Sequence, residues 1–288
     1  MISQLMNGLV MGSVYALVAL GLTLIYGILE IINLAHGELY MIGCYLSFFL
    51  YMKYHLPYAV CVLLSMIICA ILGYVMEKLA FRPLRMAPKV NSLISALGLS
   101  IFLSNSGLIL WSATPRSYST ALSQKVLSFG NIAFSSQRIL IFGIALLLIG
   151  FFILFIKRTY AGKAMRAVAQ DMEAASLMGI DINGVSTMTF SLGSALAAAS
   201  GALVGPLVTL EPYMGLEIGV KAFGVVIMGG FGNIQGTIVA GFIIGIAESL
   251  GAALISPALM SSVVFSIIII VLIFRPTGIF KEHVEENV

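Results

Sequence analysis

From Leu5 to Leu29 the chain carries no charged residue, and its first basic side chain is Lys53. About 20 mostly apolar residues suffice to cross a bilayer as a helix. This stretch is longer than the apolar region of a removable signal and has no Lys or Arg before it, so it reads as a permanent first helix. Further candidate helices follow at 37–52, 58–80, 91–111, 137–156, 184–209, 219–230, 233–255 and 258–274. Of the 288 residues, 60% are hydrophobic and only 9% charged, with a mean hydropathy of +1.08. Soluble domains carry about 25% charged residues. Fifteen Lys and Arg and twelve Asp and Glu are too few to cover a water-facing surface of this size. The expected fold is all-α: a polytopic integral membrane protein with about eight passages, forming a single transmembrane domain over 1–288.

Two of the apolar segments, 37–52 and 219–230, are short and adjoin polar breaks. The breaks read Asn33-Leu34-Ala35-His36-Gly37-Glu38 and Gly229-Gly230-Phe231-Gly232-Asn233. Short, interrupted apolar segments in a transporter point to its translocation path. Irregular backbone at membrane depth persists only where protein or a water-filled cavity satisfies it. Asn33, His36, Gly37, Glu38, Gly230, Gly232, Asn233 and Glu248 are therefore the candidate path residues. Glu30, His36, Glu38 and Glu248 lie in apolar context, where an ionisable group is costly and suggests function. Two readings of His36 and Glu38 stand: they line a path for a substrate's ammonium and carboxylate, or they satisfy the exposed backbone of the break. Glu248 is equally a packing hydrogen-bond partner or a path residue. No metal is expected, because neither His55 nor His283 falls near His36 in this topology. Cys44, Cys61 and Cys69 all lie in apolar runs and read as small buried hydrophobes. The pairs Gly8/Gly12, Gly201/Gly205, Gly232/Gly236 and Gly241/Gly245 read as sites of close helix packing.

The basic residues set an orientation. Lys78, Arg82, Arg85 and Lys89 form one cluster, Lys157, Arg158, Lys163 and Arg166 another, and Arg275 and Lys281 follow the last helix. Cytoplasmic loops carry such an excess, so these segments and the C-terminus are expected inside. Residues 53–57, 112–136 and 210–218 are then outside, with Arg116, Lys125, Glu211, Glu217 and Lys221 as outer charges. The N-terminus faces out if 30–36 reaches the inner side, and in if 30–36 is a break within one helix. A net charge of +3 is too small to suggest nucleic acid.

Segment 157–183 is long for a helix connection, which usually takes about 2–8 residues. Good helix formers run from Lys163 to Leu177, and Gly179 suits a left-handed stop. Ala164, Ala167, Ala174 and Ala175 would give that helix a small face for another protein's groove. No GxxxxGK[ST] phosphate loop, GxSxG or HExxH occurs, so neither ATP hydrolysis nor covalent catalysis is expected here, and no cofactor.

Glu173-Ala174-Ala175 followed by Gly179 resembles the coupling motif of bacterial ABC importer permeases. Gly162-Lys163-Ala164-Met165-Arg166-Ala167, Tyr15-Ala16-Leu17 with Gly21-Leu22-Thr23-Leu24-Ile25-Tyr26-Gly27, Ile32 to Glu38, Gly229 to Gly236 and Arg275 to Phe280 are similar to the branched-chain amino-acid permeases, the LivH-type subunit above all. The likeness runs from about residue 5 to 280. It implies the permease fold of the branched-chain amino-acid and ribose importers and uptake of leucine, isoleucine and valine across the bacterial inner membrane. Relatives for urea, short amides or other amino acids share these motifs, and a carrier coupled to ions is the reading from a different class. The implied partners are two ABC ATPase subunits, a second LivM-like permease, a periplasmic binding protein and the bilayer. Gly162, Arg166, Glu173, Ala174, Ala175 and Gly179 are the implied ATPase-coupling residues.

Overall fold

The computed structural model describes residues 2–85, 87–120, 123, 126–129, 132–256, 260–275 and 278–280. Lys125, Pro276, Thr277, Lys281 and His283 fall outside these. The described helices are α1 (Ile2–Leu29), α2 (His36–Met52), α3 (Tyr58–Met76), α4 (Lys89–Trp111), α5 (Ser136–Arg158), α6 (Tyr160–Gln170), α7 (Met172–Leu177), α8 (Ile182–Val204), α9 (Met214–Gly229), α10 (Ile234–Leu254) and α11 (Met260–Phe274). A π-turn at Glu77–Phe81 and a 3-10 turn at Arg82–Leu84 prolong α3. Among the described residues, six helices are long and apolar enough to cross a membrane, namely α1, α3 with its extension, α4, α5, α8 and α10. α2, α9 and α11 are shorter, at 17, 16 and 15 residues.

Boundaries follow local chemistry. Pro57 and Pro88 precede α3 and α4, where proline's fixed φ and missing N–H do no harm. Asp171, Asp181 and Asn233 cap α7, α8 and α10 through their side chains. Segment 112–136, expected outside, contains an antiparallel hairpin of β1 (Val126–Phe129) and β2 (Ile132–Ser135), with Val126 opposite Ser135.

α1 is the central helix, buried on nearly all sides. α10 lies antiparallel against it with almost no side chain between. A Cβ added to Gly12 would come 2.9 Å from the Phe242 Cα, and one on Gly241 would come 2.9 Å from the Ala16 nitrogen. α8 and α2 cover the opposite face of α1, where Val14 and Val18 carbonyls accept from Ser200 and His36. α4 and α5 leave large apolar side chains such as Phe102, Ile109 and Phe151 exposed, the surface expected against lipid.

The bundle has two chemically distinct ends. At one, Lys89 pairs with Glu30, Arg85 donates to Asn183 at 3.0 Å, and Arg166 sits beside the end of α5. At the other, Arg138 meets Asn7, Tyr118 meets Ser47, and Tyr58 donates to Leu203 O at 2.8 Å. The basic loops thus gather at one end and the start of α1 lies at the other. That resolves the relative question left open by the sequence: 30–36 follows a complete α1.

Candidate functional site

The break between α1 and α2 turns back into the bundle. Glu30 ends α1 with a left-handed φ of 53°, and its N–H donates to Tyr26 O at 2.8 Å. Asn33 Oδ1 accepts from the Ala35 N–H at 3.1 Å, which shapes the turn. α2 then starts about halfway along α1, where His36 Nε2 donates to the Val18 carbonyl at 3.1 Å.

The N-terminal turns of the two short helices meet there. Gly37 abuts Gly215 of α9, and a Cβ on it would lie 2.8 Å from the Gly219 Cα. No larger residue fits that crossing. Glu38, 1% exposed, accepts from the Ser100 hydroxyl of α4 at 3.1 Å through Oε1 and lies beside Gly215. Its Oε2 has no partner among the described residues, nor have Asn33 Nδ2 and His36 Nδ1. Glu38 sits in the first turn of α2 and beside the first turn of α9, and helix N-termini favour negative charge. That accounts for a carboxylate buried without a counter-ion. It also leaves an acceptor aimed at the junction of two helices that begin inside the bundle.

The second break behaves differently. Gly230 and Gly232 take φ of 97° and 78° in a tight turn between α9 and α10, and the turn lies at the basic end, where Gly232 abuts Gly27. Asn233 Oδ1 accepts from the Gly236 N–H at 2.8 Å as the cap of α10. The two breaks are therefore not equivalent; α2 and α9, not the breaks, form the matched pair.

Glu248 belongs to a third place. Its Oε1 accepts from Lys221 Nζ at 2.8 Å and its Oε2 from the Tyr15 hydroxyl, which ties α10 to α9 and α1. Lys221 also contacts Glu217 at 2.8 Å. The expectation that Lys221 is an outer, water-facing charge is corrected here: it is 4% exposed. α9 begins at Met214, before the apolar run, so Lys221 falls within the helix on its inward face. Glu30, expected deep, is instead exposed at the basic end, paired with Lys89.

A cavity of about 670 Å³ opens at the basic end, lined by the last turns of α1, the end of α5, α6 and the α9–α10 turn. Gly232, Asn233 and Arg166 line it; Asn33, His36, Gly37, Glu38, Gly230 and Glu248 do not. The eight candidate path residues thus divide among the α2/α9 junction, the α9–α10 turn and the Lys221 network.

The segment read as one helix from Lys163 to Leu177 is two. Asp171 adopts extended backbone and accepts from the Ala174 N–H at 2.9 Å, so it starts α7 rather than continuing α6. Aspartate prefers such a cap to a helix interior. Ala164, Ala167 and Ala175 face the bundle, whereas Glu173 and Ala174 are exposed. Gly162 packs on the carbonyls of Phe155 and Ile156, and Arg166 donates to Ile156 O at 2.6 Å. Gly179 has φ 85° with open space around its Cα. Tyr160, Leu177 and Met178 are 89%, 89% and 84% exposed, an apolar surface on a loop with charged neighbours.

A family model described as the branched-chain amino acid transport system / permease component matches residues 4–273. The chain belongs to this family. The high-affinity branched-chain amino acid transport system permease protein BraD of Pseudomonas aeruginosa is 38% identical over 300 residues, spanning 100% of this chain and 98% of its own. LivH of Escherichia coli strain K12, named for the same system, is 36% identical over 304 residues, spanning 100% and 97%. A solved structure of PsaBC from Streptococcus pneumoniae in complex with Fab aligns over 92% of this chain and 90% of its own, at 13% identity and a TM-score of 0.46.

The permease is thus a membrane component of a transport system, not an enzyme. Three of its buried polar residues had no role, or the wrong one, in the sequence reading. Lys221 was hidden by a helix start placed too late. Tyr15, in the family-like Tyr15-Ala16-Leu17, shows no partner in the sequence until Glu248 meets it. Glu77, 0% exposed, accepts from Arg85 at 2.9 Å and Thr187 at 2.9 Å; its place beside a basic cluster was the available signal.

Proposed function

We propose that this permease is the conducting subunit of an ATP-driven ABC importer of leucine, isoleucine and valine. It forms a single transmembrane domain over 1–288 in a bacterial inner membrane, with the basic loops and C-terminus in the cytoplasm and the start of α1 outside. Two ATPase subunits, a second, LivM-like permease and a periplasmic binding protein complete the system. The observation that carries this reading is the agreement along the whole chain with permeases named for branched-chain amino acids.

Two features of the geometry support it. Half-helices that begin inside a transporter commonly border its substrate path, and here the starts of α2 and α9 border the unpartnered Glu38 Oε2. Glu38 is the group we assign to a passing ammonium, with Asn33, His36 and Gly37 shaping its surroundings. Gly230, Gly232 and Asn233 form the turn that lets α9 and α10 move as a pair, and Glu248 steadies them. The loop 157–183 provides the ATPase contact, through Glu173, Ala174 and the exposed Tyr160, Leu177 and Met178, with Gly162, Arg166, Ala175 and Gly179 holding α6 and α7 in place.

Reconstitution of the complete importer in liposomes tests this. Leucine uptake is expected only with ATP and both ATPase subunits, and Glu38→Gln is expected to lower it while assembly persists. Uptake by the permease without any ATPase would replace this reading with an ion-coupled carrier. Uptake of urea or short amides in place of leucine would refute the substrate.

A further inference from the structure

Where α3 reaches the basic end, its helix changes form. Pro83 has no N–H to donate, and its ring crowds the carbonyl four residues back. The chain responds with the π-turn Glu77–Phe81 and the 3-10 turn Arg82–Leu84. In an unbroken α-helix Arg82 would stand about 140° round the axis from Glu77, five residues at about 100° each. The wider turn brings it back over Glu77. There Arg82 Nε donates to Glu77 Oε1 at 3.4 Å, and Arg85 Nη2 donates to the same oxygen at 2.9 Å.

The other carboxylate oxygen belongs to α8. Glu77 Oε2 accepts from Thr187 Oγ1 at 2.9 Å, and Arg82 Nη2 donates to that hydroxyl at 3.2 Å. Arg85 Nη1 donates to Asn183 Oδ1 at 3.0 Å. One carboxylate, 0% exposed, thus joins the end of α3 to the first two turns of α8. Those turns are where loop 157–183 ends: Asp181 caps α8, and only Met178 to Asp181 separate it from α7.

Helix cohesion alone does not account for this clamp. α3 and α8 already pack backbone to backbone, since a Cβ on Gly73 would lie 2.7 Å from Phe190 O, and the Phe81 and Phe190 rings are 4.8 Å apart. A buried ion pair holds helices together no better than apolar side chains of like volume. What it adds is direction, because guanidinium and carboxylate groups meet in a fixed planar geometry. That direction is supplied where the hydrogen-bond ladder of α3 changes register, the place where a push on α8 would otherwise be taken up by bending. α4 shares this end: Ser95 donates to Ala80 O at 3.2 Å, and Ser100 of the same helix holds Glu38.

We infer that Glu77 is a positioning residue for coupling. With Arg82, Arg85, Asn183 and Thr187 it makes the adjoining ends of α3 and α8 one rigid piece, so that a displacement of loop 157–183 moves both helices. This role rests on the ATPase contact proposed above for that loop.

The test uses the complete importer in liposomes and reads leucine taken up per ATP hydrolysed, a ratio that the amount of folded protein does not change. Thr187→Val replaces the hydroxyl with a methyl group and is expected to lower the ratio about tenfold while the ATPase still co-purifies. Glu77→Gln is expected to do the same, and Thr187→Ser, which keeps the hydroxyl, to retain the native ratio. If Glu77→Gln fails to assemble, the two Thr187 variants decide. A second readout needs no transport. Spin labels on cysteines at Leu79 and Met188, exposed positions of the α3 extension and α8, should keep one separation with and without ATP in the native complex. Thr187→Val should make that separation depend on ATP. A native ratio in either assembled variant, a fall in Thr187→Ser as deep as in Thr187→Val, or a label separation that shifts with ATP in the native complex would each overturn the proposal. Uptake by the native importer reads the proposed function separately: labels that behave as expected in a complex that imports no leucine would leave the clamp standing and the function refuted.

Discussion

Removing the charge of Lys221 separates a buried ion pair from ordinary packing. Lys221→Met keeps most of the apolar stem and deletes the ammonium, so the Glu248 carboxylate, 4% exposed in its side chain, retains only the Tyr15 hydroxyl. At the observed 2.8 Å the gross Coulomb attraction is about 6 kcal/mol for an effective dielectric of about 20. Desolvation offsets much of this while both charges are present, but it stays uncompensated when one is gone. Breaking a buried pair from one side typically costs about 3–5 kcal/mol. The contact with Glu217 adds little, because that side chain is 59% exposed and solvent screens it. Lys221→Met combined with Glu248→Gln removes both charges and still gives Tyr15 an acceptor, so stability should return to within about 1–2 kcal/mol of the native value. Denaturation of the detergent-solubilised permease, followed by intrinsic fluorescence, measures both. A single variant that loses less than about 1 kcal/mol, or a double variant as unstable as the single one, would refute the ion-pair account.

Other perturbations read other parts of the molecule. Gly37→Ala drives a methyl group into the backbone of Gly215 and Gly219 and should cost about 1–3 kcal/mol by overpacking, seen as a lower melting temperature. Ala174→Arg, at an exposed position of α7, should leave the amount of permease in the membrane unchanged and abolish co-purification of the ATPase; retained binding with native transport would make the loop a mere connector. Gly179→Val should uncouple in the same assay because φ is 85° there, whereas Gly179→Asn, which tolerates that conformation, should retain coupling. Single cysteines at Ser123 and Gln170, with the buried native thiols as a silent background, should react with an impermeant reagent from outside and only after permeabilisation, respectively; the reverse pattern would invert the orientation.

The solvent, the helical class and the order of the spans were legible because a helix in lipid must satisfy its own backbone and show an apolar surface, which leaves long runs such as Leu5–Leu29 in plain view. The loop 157–183 was legible as a polar interruption with helix formers, although the cap at Asp171 outweighed the continuity of propensity from Lys163 to Leu177. The short helices were the harder case. Glycine and isolated polar residues announce that something interrupts the span at Asn33–Glu38, but not which helix will stand opposite.

Sequence alone determined that this chain lives in a membrane, gathers many of its basic residues into two loop clusters and contains no phosphate-loop motif, since each of these is a property of composition or local order. Tertiary structure alone decided that Gly37 faces Gly215, that Lys221 is an inner residue held by Glu248, and that Glu38 and the α9–α10 turn belong to different places. The physical reason is that a buried charge or a missing side chain acquires meaning only from the group across the helix contact. Those groups lie far away along the chain: Tyr15 and Glu248 are 233 positions apart.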